Sequence, residues 1–78
     1  MKAFIIGAAK FLLARLLTSE NVARVTALVS IMANTDLTGA EKRALVVEGL
    51  TKSAPEIAES VANLAVELAV YLMKAGAA

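Results

Sequence analysis

The sequence predicts an all-α protein of four helices arranged as two helical hairpins. Three observations predict it. Apolar residues recur at steps of three and four in four separate stretches, which is the spacing of one helix face. No alternation of apolar and polar residues runs long enough for a half-buried strand. Residues that cap helices or turn the chain separate the stretches: Thr18-Ser19, Asn34-Thr35-Asp36, Thr38 with Glu41, and Ser53 with Glu56.

Helix one is predicted over 3–17. Ile5, Ala9, Leu12 and Leu16 follow one another at steps of four, three and four, flanked by Phe4, Ile6, Phe11, Leu13 and Leu17. Lys10 and Arg15 leave a narrow polar edge. Thr18 or Ser19 caps the next helix, predicted over 20–33, where Val22, Val25, Val29 and Met32 form a seam beside Leu28 and Ile31. Glu20 complements that helix's N-terminus and stands four residues before Arg24, the favourable order for an ion pair. Asn34-Thr35-Asp36 prefers a turn, so 34–38 is read as the hinge between the hairpins.

Helix three is predicted over 39–51. Thr38 and Glu41 form a capping box, Ala40, Ala44, Val47 and Leu50 line one face, and Glu48 pairs with Lys52. Gly49 weakens its end. Helix four is predicted over 54–74, opening with a second box from Ser53 to Glu56 and with Pro55 in its first turn, and stopped by Gly76. It carries two parallel stripes: Ala58, Ala62, Ala65 and Ala69, and beside them Ile57, Val61, Leu64 and Leu68. Glu59, Ser60, Asn63, Glu67, Tyr71 and Lys74 make up its polar edge.

Composition bounds the function. The chain has 78 residues, 46 of them hydrophobic and 17 alanine, with 15 charged and no histidine, cysteine or tryptophan. One domain, 1–78, is expected. Disulfides, thiolate or imidazole zinc sites, and histidine-based catalysis are excluded. The serines lack an activating base, and no glycine-rich phosphate loop is present, so neither an enzyme nor a cofactor or small-molecule substrate site is expected. Glu56 and Glu59 lie within one turn, but carboxylates there serve the helix dipole, and no metal site is expected. Lys2, Lys10, Arg15 and Arg24 against Glu20 give residues 1–33 a charge of +3, while 34–78 carry −2. A net charge of +1 without aromatic base readers argues against a nucleic-acid partner.

A domain this small buries about 60% of the surface its unfolded chain exposes. A chain this apolar therefore leaves greasy area outside, which marks a partner surface. The expected function is a small, non-enzymatic assembly or structural protein, self-associating or docking on a larger complex. Its expected interface comprises Ile5, Leu12 and Leu16 of helix one with Ala58, Val61, Ala62, Leu64, Ala65, Leu68 and Ala69 of helix four. The small-residue stripe would admit a second helix closely.

A membrane surface is the alternative partner. A span needs about 20 apolar residues. Helix one is shorter and interrupted by Lys10, and helix four centres Asn63 and Glu67, where an acidic residue costs about 2.5–3.5 kcal/mol. FIIGAAKFLLARLL nevertheless has the make-up of an interfacial helix, with Phe4, Ile5, Phe11 and Leu12 entering lipid.

The segment LTGAEKRALVVEGLTKSAPEIAESVANLAVELAVYLMK, residues 37–74, resembles the helical tail region of small phage holin-like proteins. The matching positions are Thr38, Gly39, Glu41 and Lys42, then Ile57, Glu59 and the apolar run 64–70. The resemblance implies a phage origin, and with it a virion-associated or cytoplasmic place, or in the alternative a membrane-lying one. An interface seam on helix four predicts that Ala65→Glu dissociates an oligomer in light scattering while keeping its helicity.

Overall fold

Local capping chemistry sets most of the helix boundaries. The computed structural model describes residues 2–76, and the side chains of residues 4–76. Four helices follow in order: α1 Lys2–Leu16, α2 Ser19–Ala33, α3 Gly39–Ser53 and α4 Glu59–Lys74, with no strand among the described residues. Thr18 caps α2, its hydroxyl accepting from the Asn21 backbone N–H at 3.2 Å. At the other end the Asn34 N–H reaches the carbonyls of Ile31 and Met32, and the Thr35 hydroxyl donates to the Met32 carbonyl at 2.8 Å. Polar groups thus collect the carbonyls that the end of a helix leaves unpaired. The predicted box at Thr38 is complete: Glu41 N–H donates to Thr38 Oγ1 (3.2 Å), and Thr38 N–H donates to Glu41 Oε1 (3.0 Å).

The start of the last helix differs from the expectation. Ser53 ends α3 rather than capping α4, and the predicted Ser53–Glu56 box does not form. Pro55 is the reason. Its ring disfavours helical geometry in the preceding residue, and Ala54 is extended at φ −138°, ψ 75°. Ile57 N–H then closes a turn onto the Ala54 carbonyl at 3.0 Å. The chain is not helical again until Glu59, behind Ala58, which offers no side-chain cap. Gly76, with φ +74°, stops the helix as expected.

Helix α4 packs against each of the other three, α2 and α3 pack on one another, and α1 touches α2 slightly and, among the described residues, α3 not at all. The core forms around α4. Ala62, Ala65, Val66, Ala69 and Leu72 are buried, facing Val25 and Val29 of α2, Val46 and Leu50 of α3, and Ala9, Leu13 and Leu17 from the α1 side. Close approach recurs between α2 and α3: a Cβ at Gly49 would sit 3.3 Å from the Leu28 methyls, so glycine makes room for Leu28.

Packing selects which apolar residues of α1 and α3 turn inward, and it leaves Ile5 and Leu12 outward, as the expected interface has them. On α1 the buried line is Ala9–Leu13–Leu17, with Ile6 and Leu16 half-buried, while Ile5 and Leu12 face outward. An arc of apolar residues this wide satisfies the periodicity in two registers, and packing on α4 selects one. On α3, Val46 and Leu50 are buried and Ala40 and Ala44 are exposed. The larger side chains take the core because they bury more area.

The alanine stripe of α4 also has a different partner from the one expected. Ala62 and Ala65 are fully buried and Ala69 nearly so, covered by the chain's own helices, so they cannot face another molecule in the folded state. This reverses the expectation for Ala65→Glu. A carboxylate there would be buried without a partner, against a stability of about 5 kcal/mol at most for so small a core. Loss of the helical circular-dichroism signal at 25 °C is the expected outcome; a variant that stays fully helical would contradict the packing.

Candidate docking face

The apolar residues of α1 divide into two sets. One packs on the core; the other, Phe4, Ile5, Phe11 and Leu12, stands in solvent at 79, 50, 62 and 50% exposure. Phe4, Ala8, Phe11 and Arg15 follow the same four-three-four steps as Ile5, Ala9, Leu12 and Leu16, so they share one side of the helix. Helix α1 contains no acidic residue. The Arg15 guanidinium lies 5.8 Å from the centre of the Phe11 ring, within cation–π range, and Lys10 is exposed. The result is an apolar face that carries Arg15, with Lys10 on the other side of the helix. The side chain of Lys2, grouped with these cations by sequence, lies outside the described residues.

The expected interface residues divide three ways. Ile5, Leu12 and Leu64 are outward and large, and the small Ala58 is also exposed. Leu16, Val61 and Leu68 are half-buried against the core. Ala62, Ala65 and Ala69 are inside. Phe4 and Phe11 belong to the exposed face and were absent from the expected protein interface, although their four-three-four spacing was available. Ile31 of α2, Leu45 of α3 and Tyr71 of α4 are further exposed large apolar side chains, Ile31 as much so as those of α1.

Charged groups lie along the edges. Glu20 and Arg24 pair at 2.8 Å, and Arg24 also donates to Asn21 Oδ1 at 2.8 Å, which satisfies the buried Asn21 side chain. Glu48 pairs with Lys52 at 2.9 Å, and Arg43 bridges from α3 to Glu67 of α4 at 3.0 Å. All are largely solvent-exposed, so each contributes little. The Thr38 backbone N–H, with help from its hydroxyl, holds the Glu41 carboxyl below the ordinary carboxylate range. The hydrogen bond from Lys52, and then its charge, lowers Glu48, and the same bond raises Lys52.

Among the described residues no group of His, Cys, Asp or Glu is placed to hold a metal ion, and no helix is long and apolar enough to cross a membrane. Comparison of the chain with protein-family models, with curated proteins and with solved structures finds no match.

The lowered Glu41 and Glu48 carboxyls stabilise α3 above the ordinary glutamate range, and that contribution is lost as pH falls through their folded values. The Lys52 contribution runs oppositely: present below the ordinary lysine range, lost as pH rises through its folded value. Thr38→Ala is expected to cost about 1 kcal/mol at neutral pH, and Glu41→Gln, which removes the titrating carboxyl held by the Thr38 N–H, to flatten the acid limb of stability, measured by urea unfolding between pH 3 and 7. An unchanged acid limb would show that the box does not hold in solution.

Proposed function

We propose that this chain is a non-enzymatic helical docking and assembly protein, covered on the outer face of α1 by a second apolar protein surface, either its own copy or a larger complex. The observation that supports this best is the concentration of four large apolar side chains on one exposed helix face. Patches of this kind mark partner surfaces when they are contiguous.

Magnitude decides how the face is used. At about 2 kcal/mol per fully buried large side chain, covering the exposed parts of these four yields about 5 kcal/mol. Association costs roughly 4–15 kcal/mol before any affinity is seen. A pair of molecules joined by this face alone is therefore weak. A stable assembly recruits further area, for which Leu64 and Tyr71 of α4 or Ile31 of α2 are available. The resemblance of residues 37–74 to phage holin-like tails extends the proposal to a virion-associated component.

One feature favours a second reading. The outer face joins aromatic and aliphatic residues to Arg15, on a helix with no carboxylate, which also suits a helix lying on an anionic membrane. The double variant Phe4→Ser/Phe11→Ser separates the two. For the protein reading, sedimentation at tens of micromolar is expected to show a discrete oligomer that falls to monomer in the variant, with helicity unchanged and no flotation with liposomes. Wild-type flotation with anionic vesicles, abolished in the variant, would replace the first reading by the second; a wild-type monomer indifferent to both would remove both.

A further inference from the structure

A second feature lies away from α1. Between the C-terminal ends of α2 and α4 and the first turns of α3 is a cleft of about 620 Å³, within the size range of small-molecule sites. Val46 and Val66, themselves buried, form its floor, and Met32, Val70 and Met73 line it above them. Methionine walls are flexible and fit chains of varied shape.

The charge on this cleft is one-sided. Lys42, Arg43 and Lys74 line it and no carboxylate does, although this half of the sequence is net negative. Arg43 is engaged with Glu67 across α3 and α4. Among the described residues neither Lys42 nor Lys74 has an ion-pair partner. Lys42 is partly buried, its aliphatic stem lying along the apolar wall. An apolar floor beneath unpaired cations calls for a ligand that is apolar along its length and anionic at one end.

We propose that the cleft binds a single free fatty carboxylate, its alkyl chain between α2, α3 and α4 over Val46 and Val66 and its carboxylate held by Lys42 and Lys74. The site is independent of the docking face, since no α1 residue lines it.

Isothermal titration with sodium dodecanoate below its micellar concentration tests this. One molecule per chain is expected, and decanoate should bind about 15-fold more weakly, because each buried methylene is worth roughly fourfold in affinity. Lys42→Gln/Lys74→Gln should weaken dodecanoate at least tenfold with an unchanged circular-dichroism melt, and dodecylammonium should not bind. Phe4→Ser/Phe11→Ser should bind dodecanoate as the wild type does, whatever becomes of its assembly. The proposal is overturned by equal binding of dodecylammonium, by full affinity in the lysine variant, by affinity independent of chain length, by loss of binding in the phenylalanine variant, or by no saturable binding.

Discussion

The arrangement depends on how small the central helix is. Ala62, Ala65 and Ala69 give α4 a surface with little side chain on it, which is what allows α1, α2 and α3 to come against one helix. Closeness supplies many dispersion contacts without large side chains. The same economy limits the core. Alanines contribute little apolar area each, so the fold is completed with several of the larger apolar residues unused. Phe4, Phe11, Ile5, Leu12, Ile31 and Leu64 are left over, and the outer face of α1 is where most of that surplus collects. A thin interior and an apolar exterior are two aspects of one composition.

Charge has a different role from apolar area in this molecule. The ion pairs are exposed and weak, and they fix edges rather than supply stability: Glu20 and Glu48 brace their own helices, while Arg43 ties α3 to α4. Asn21 is the buried polar side chain of the core, and its carbonyl is taken by Arg24; among the described residues no buried side-chain nitrogen or oxygen lacks a partner. Specific geometry is thus set by packing and capping, with polar groups arranged so as not to oppose it.

Much of this was legible in the sequence because it is local. The four helices, the break at 34–38, the box joining Thr38 to Glu41, the Glu20–Arg24 and Glu48–Lys52 pairs and the stop at Gly76 each depend on residues within one turn of each other. What was not legible depends on something farther away or on a competition. Ser53 looked like a cap because Glu56 follows it, but Pro55 removes Ala54 from the helix and leaves Ser53 to finish α3. The rotation of α1 was undetermined because apolar residues surround most of it, and the choice of Leu13 over Leu12 belongs to α4. The alanine stripe was correctly seen as a place for close packing; that its neighbours come from the same chain is a property of the tertiary fold, which periodicity does not contain. The cationic cleft was invisible for the same reason, since Lys42 and Lys74 are brought together only by the packing of α3 on α4.

One connection has a consequence in time rather than space. Helix α1 packs chiefly on α4, and the whole of α2 and α3 lies between them in the chain. During synthesis α1 therefore leaves the ribosome before the helix it packs on. Until Glu59–Lys74 has emerged, both sides of α1 are bare, including the line through Ala9 and Leu13 that the finished molecule conceals.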